Sequence, residues 1–200
     1  MLHELRPSIL RRMRELEALD AEQRRAGLPA HERLCAVPPE TGRLLALLAA
    51  GAPPGRRLEV GTSGGYSTLW LTLAGAETGT ILRCFEAQPA KAAIARETFR
   101  LAEVEALVEL TVGDARGRLA RETDIGFAFV DHAKDRYREA FEELVPNLVP
   151  GGLIVADNIL SHRELLEGFV REVEADPRVD SVVLSVGKGL LLCRRPASLG

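Results

Sequence analysis

The sequence predicts an α/β fold, a doubly wound and mostly parallel sheet of seven strands with helices on both faces and an antiparallel hairpin at the C-terminal end. Three observations predict it. A short apolar run turns through three glycines into an apolar helix within residues 58–74. Strand-length apolar runs then alternate with helical periodicity as far as residue 175. The last two apolar runs are separated only by Gly187-Lys188-Gly189, which leaves no room for a helix. Strand and helix in alternation build parallel βαβ units covered on both faces, whereas a three-residue glycine turn builds a hairpin.

Each element follows from local pattern. Leu2, Leu5, Ile9, Met13, Leu16 and Leu19 recur at three and four residues, giving an amphipathic helix that Gly27 and Pro29 stop near Arg25. This helix reads as packing across the domain, with a lid or a dimer contact as the alternative. An apolar stripe of that length on a small domain leads us to expect a homodimer. Residues 1–34 form a helical cap and 35–195 the core of one domain spanning 1–200. Residues 34–37 connect to a second helix at 41–50, opened by Pro38-Pro39-Glu40 and ended by Gly51. Pro53-Pro54-Gly55 turns the chain into a strand at 57–60, and the glycine loop leads into the helix 66–74. Strands follow at 80–86, 108–112, 125–130 and 151–156. Between and after them come helices at 89–101, 116–121, 137–148 and 163–175. The hairpin strands are 179–186 and 190–193.

Composition narrows the function classes. Two hundred residues can bury a sizeable core, and a net charge of -3 gives no ground for a nucleic-acid partner. No apolar run reaches membrane-spanning length, and the charged amino terminus lacks the apolar core of a secretory signal. Cys35, Cys84 and Cys193 are odd in number and far apart. They read as reduced thiols in a cytoplasmic protein.

In a doubly wound sheet, ligands bind beyond the carboxyl ends of the strands. There the five parallel strands deliver Gly61 with its loop, then Glu86, Asp114-Ala115, Asp131-His132-Ala133-Lys134 and Asp157-Asn158. Glu86 follows the glycines by about 25 residues, the place of an acid that accepts from two ribose hydroxyls. A nicotinamide-dependent oxidoreductase shares that acid, but its pyrophosphate wants Gly-x-Gly-x-x-Gly. Here the pattern is Glu59-x-Gly61-x-x-x-Gly65, with an acid inside the strand. A buried acid suits a ligand carrying an ammonium group, which points to an adenosyl ligand with an amino-acid tail. Asp157-Asn158 as a plain helix cap, Lys134 as a solvated charge, Tyr66 and Trp70 as packing aromatics, and His3 and His162 as surface residues are the structural alternatives. Lys188 is assigned no role.

Residues 58–67 resemble the first motif of the class I S-adenosylmethionine-dependent methyltransferases, whose fold is Rossmann-like. Residues 131–137 followed by 150–158 resemble the cation-dependent O-methyltransferases, the family of the catechol and caffeoyl-CoA enzymes. The resemblance covers about residues 35–194. It implies transfer of a methyl group to a hydroxyl of a small acceptor; a methyltransferase-like binding module without catalysis is the alternative. It implies that backbone at Gly61 and Thr62, with the Ser67 hydroxyl, holds the methionine end of S-adenosylmethionine. Glu59 would stand behind the ammonium, Glu86 on the ribose, Asp114 and Ala115 beside the adenine with His132 on its other side, and Val37 in the wall. Asp131, Asp157 and Asn158 would ligate a divalent cation, Mg²⁺ by their oxygen chemistry, and Asp131 and Lys134 would face the acceptor hydroxyl. Near Gly187-Lys188-Gly189 there is no acid to bind a second hydroxyl, as the catechol enzymes have.

Overall fold

The computed structural model describes residues 5–197. Leu2 and His3 lie outside the described residues. Seven strands, β1 (Arg56–Val60), β2 (Leu82–Glu86), β3 (Val108–Val112), β4 (Ile125–Val130), β5 (Leu148–Ala156), β6 (Asp180–Leu184) and β7 (Leu190–Arg194), form one sheet. Their order is β3-β2-β1-β4-β5-β7-β6. The first five are parallel, and β7 runs antiparallel between β5 and β6, as the glycine turn predicts. The chain winds outward from β1 to β3, then restarts beside β1 with β4. That reversal opens a crevice at the carboxyl ends of β1 and β4.

Six helices, α1 (Pro7–Arg25), α2 (Pro39–Gly51), α3 (Tyr66–Thr78), α4 (Pro89–Leu101), α5 (Tyr137–Leu144) and α6 (Arg163–Glu174), cover the sheet. The alternation of side chains along each strand makes two cores. Phe127 and Phe129 face α1 to α4, where Leu45, Leu69 and Phe99 are buried. Leu58 and Val60 face α5 and α6, packed with Tyr137, Phe141 and Phe169. Period two puts Glu59 on the first of these faces, inside the sheet rather than at its rim.

The α1 stripe is covered within the chain. Ile9, Met13 and Leu16 are buried, Arg12 reaches the Thr98 hydroxyl of α4 at 3.0 and 3.1 Å, and Asp20 accepts from the Cys35 backbone N–H at 3.0 Å. Each buried apolar side chain of this size contributes roughly 1.5–3 kcal/mol, so α1 is a docked helix. Among the described residues, the stripe on which the homodimer expectation rested is covered.

Several boundaries differ from those read in the sequence. Helix α3 runs on to Thr78, and the Thr80 N–H closes its last turn on Gly75, so β2 begins at Leu82. Pro146 tightens the end of α5 into a 3-10 turn, Val145–Asn147, and β5 starts at Leu148. The helix expected at 116–121 is one 3-10 turn, Leu119–Arg121, and β6 ends at Leu184. No helix of the described residues is long and apolar enough to cross a membrane.

Candidate active site

A cavity of about 710 Å³ occupies the crevice. Its floor is the carboxyl ends of the parallel strands and one wall is the connector after α1, including Val37. Eleven of the thirteen residues singled out in the sequence line it, in three groups: Gly61, Thr62 and Ser67; Glu86, Asp114 and Ala115; and Asp131, His132, Lys134 and Asn158, with Val37 opposite. Glu59 and Asp157 are fully buried behind the lining.

The glycine loop reaches the crevice because Gly61 adopts φ 98° and passes so close to β4 that a Cβ there would stand 2.0 Å from the Asp131 carbonyl oxygen. Three N–H groups at the start of the loop are already engaged. Gly61 and Thr62 both donate to the Phe85 carbonyl, at 2.9 and 3.3 Å, and Ser63 donates to Glu86 Oε2 at 2.7 Å. What Gly61 and Thr62 can still offer a ligand is carbonyl oxygen, that of Thr62 already accepting from the Gly65 N–H at 2.9 Å, and carbonyl oxygen suits a donor group such as an ammonium.

Glu59 accepts from the Ser67 and Thr68 hydroxyls at 2.6 and 2.5 Å and from the Cys84 thiol at 3.3 Å. Burial still pushes its carboxyl up to about 7, with those hydrogen bonds opposing the rise. Ser67 spends its proton on Glu59, so toward the cavity its oxygen is an acceptor. When Glu59 is ionised, the pair forms a negative, acceptor-only corner. Glu86 accepts at Oε2 from Ser63 and at Oε1 from the Gln88 N–H, at 2.7 and 2.8 Å. Each oxygen keeps a lone pair, and the two fixed bonds hold the carboxylate for a diol. Asp114 is turned to Arg116, which holds its carboxyl below the usual range. Burial lowers the pKa of His132, whose ring stands edge-on to Tyr137 at 5.3 Å.

The other half of the cavity gathers around Asp131. Lys134 Nζ donates to Asp131 Oδ1 at 2.8 Å, to the His132 carbonyl at 2.9 Å and to the Tyr137 hydroxyl at 2.9 Å. Those three bonds use every proton of an ammonium. Tyr137 in turn donates to the Asp157 carbonyl at 3.0 Å, linking the ends of β4 and β5. Sequence reading gave Tyr137 no role, although its position three residues after Lys134 on a helical turn is the visible sign of the contact. The Asn158 amide donates to Asp131 Oδ1 at 2.7 Å. Asp157 differs from all of these: both carboxylate oxygens are buried and, among the described residues, have no hydrogen-bond partner. Burial, and next the Asp131 charge, raise its carboxyl to about 6.

An orphaned buried carboxylate beside a second one lacks a cationic partner. Asp131, Asp157 and Asn158 fit a hard divalent ion once the Asn158 amide turns its oxygen inward. Among the described residues no group of three or more His, Cys, Asp or Glu assembles, so the set is two carboxylates and one amide. Lys188 also lines the cavity, as does His162, which is exposed as the sequence predicts.

The profile of the family described as O-methyltransferase matches residues 13–196. The chain belongs to that O-methyltransferase family. It is 33% identical over 147 residues to a catechol O-methyltransferase from Niastella koreensis, a match covering 71% of this chain and 64% of the relative. The chain thus spans less than two thirds of that relative's length. Among solved structures it is similar to an O-methyltransferase from Bacillus cereus in complex with SAH, with a TM-score of 0.74, 28% identity and coverage of 92% and 90% of the two chains. It is likewise similar to the O-methyltransferase TomG from Streptomyces achromogenes in complex with SAM, with a TM-score of 0.77, 27% identity and coverage of 91% and 89%. The seven-stranded Rossmann-like fold of this O-methyltransferase family member agrees with them.

Proposed function

We propose that the chain transfers a methyl group from S-adenosylmethionine to a hydroxyl of a small acceptor with the help of a divalent cation, Mg²⁺ by its oxygen ligands. The observation that carries this reading is the Asp157 carboxylate, without a hydrogen-bond partner among the described residues and raised by burial and the Asp131 charge, behind a cavity that Asp131, Asn158 and Ser67 line. The SAH bound by the Bacillus structure, the SAM bound by the Streptomyces structure and the acceptor named for the Niastella relative support the same assignment. Three unpaired cysteines support a reducing, cytoplasmic setting.

Glu59, through Ser67, holds the donor's ammonium together with carbonyl oxygen at Gly61 and Thr62. Glu86 takes the ribose hydroxyls, and Asp114, Ala115 and His132 flank the adenine, with Val37 in the wall. Asp131, Asp157 and Asn158 hold the cation. When bound, the donor supplies a methyl group on a positive sulfur, and the cation lowers the acceptor hydroxyl's pKa. The chain's remaining task is alignment of that oxygen with the methyl group. Lys134 begins as an ammonium with three acceptors. It orients Asp131 and offers positive charge to the acceptor oxygen, and it must surrender one partner to act as a base.

Calorimetric titration tests the donor assignment. S-adenosylmethionine and S-adenosylhomocysteine bind at micromolar level, and NAD does not. Binding of NAD with no response to the sulfur ligands overturns the reading. A radiolabelled methyl-transfer screen over vicinal diols, catechols and hydroxycinnamoyl esters separates an enzyme from a binding module of the same fold.

A further inference from the structure

The hairpin between β6 and β7 brings a cation to the acceptor end of the cavity, and neither the fold nor the donor uses it. The turn is held against the segment after β5. The Lys188 carbonyl accepts from the Leu160 and Ser161 N–H groups, each at 3.0 Å, and the Gly189 carbonyl accepts from Ile159 at 3.0 Å. The approach is so close that a Cβ on Gly189, whose φ is 89°, would stand 2.6 Å from the Leu160 nitrogen. Lys188 therefore sits on a backbone stapled to the Asn158 loop, and it lines the cavity together with Asp131, Lys134 and Asn158. Its side chain is half-buried, its charge acts on Asp157, and among the described residues its ammonium has no hydrogen bond or ion pair.

Charge balance gives this position a meaning. Lys134 is matched by Asp131 at 2.8 Å. With a divalent ion held between Asp131 and Asp157, both carboxylates are neutralised, and the ammonium groups of Lys134 and Lys188 are left in excess. A neutral diol that loses one proton offsets only one of them. A half-buried excess charge favours a ligand of opposite sign.

We propose that Lys188 determines acceptor specificity by binding an anionic group, a carboxylate placed beside the hydroxyl that is methylated. The preferred acceptor is a hydroxy acid rather than a vicinal diol. This rests on the methyl-transfer reading above. The step itself is unchanged: the acceptor oxygen gains the methyl group, the donor leaves as the neutral thioether, and the hydroxyl proton passes to solvent. Lys188 is a recognition group and takes no part in the proton transfer.

The test uses the full chain saturated with S-adenosylhomocysteine and Mg²⁺, with two matched probe pairs: 2-hydroxybenzoate against catechol, and glycolate against ethylene glycol. Equilibrium binding is read by calorimetry on that complex, and kcat/KM is read separately by methyl transfer with labelled S-adenosylmethionine and no S-adenosylhomocysteine. The unmodified chain is expected to favour the acid of at least one pair by about tenfold or more, the scale of one charge-assisted hydrogen bond. Lys188→Met should abolish most of that preference while leaving S-adenosylhomocysteine affinity within about twofold. Lys188→Glu should invert it. Equal treatment of acid and diol by the unmodified chain, or a preference that survives in Lys188→Met, overturns the proposal. Failure of S-adenosylhomocysteine to bind the unmodified chain instead overturns the methyl-transfer reading, so the two failures are distinguishable.

Discussion

Glu59→Gln isolates the buried acid behind the donor site. The wild-type carboxyl rises from 4.5 to about 7 because it is fully buried on a dry face of the sheet. A carboxyl whose pKa is raised by folding binds its proton more tightly in the folded state. Its contribution to stability is therefore complete below about pH 4.5, falls as the pH rises toward 7, and is flat above that. At 1.36 kcal/mol per pH unit, the loss across that window is about 3 kcal/mol. Glutamine has nearly the same shape and never ionises. One of its atoms accepts a hydroxyl hydrogen bond and the other donates, which the Ser67 and Thr68 hydroxyls can answer by rotating. Urea unfolding of both proteins without donor, from pH 4.5 to 8, measures the difference directly. Asp157 and other titrating groups are common to both and cancel. The wild type should lose about 3 kcal/mol relative to Glu59→Gln between pH 4.5 and 7. Because a cationic ammonium favours ionised Glu59, donor binding near pH 6.5 should also release a proton from the wild type and not from the variant. Calorimetry in buffers of different ionisation enthalpy reads that release. Parallel stability curves would show that Glu59 ionises as an ordinary surface acid does, and the argument from its burial would be wrong.

Glu86→Ala removes the carboxylate held by the Ser63 and Gln88 N–H groups; donor affinity should fall at least about tenfold with the fold intact, and unchanged affinity by calorimetry removes Glu86 from the ribose site. Asp157→Ala should greatly reduce Mg²⁺ affinity and methyl transfer while leaving donor affinity within about twofold. A chelator should mimic it, added Mg²⁺ should reverse only the chelator, and full activity in excess chelator refutes the cation. Met13→Ala leaves a cavity where α1 meets the core and should cost about 2–5 kcal/mol in chemical denaturation; a loss under about 0.5 kcal/mol would mean that α1 is not docked.

Much of this protein was legible in local pattern. Strand and helix alternate because period-two and helical periodicities are local properties of the chain, and Gly187-Lys188-Gly189 leaves no length for anything but a turn. The rim residues were legible too, since a parallel sheet sends the end of every strand to the same side: Glu86, Asp131 and Asp157 needed only their strands to be recognised. Boundaries were less so. Thr80 closes a helix turn on Gly75 instead of starting β2, a competition between two backbone partners that composition does not decide. The state of each site residue depended on tertiary structure. Glu59 differs from Glu86 because the first points between helices and the second into the cavity. In the glycine loop the Gly61, Thr62 and Ser63 N–H groups are engaged by Phe85 and Glu86. Lys134 is saturated while Lys188, indistinguishable from it as a residue type, has no hydrogen bond or ion pair among the described residues. The sequence by itself determined which groups arrive at the rim, because strand direction and period are set within a few residues. Which of those groups are buried, paired or left wanting was decided only by the packing of distant segments, because desolvation and hydrogen-bond satisfaction depend on neighbours far apart in the chain.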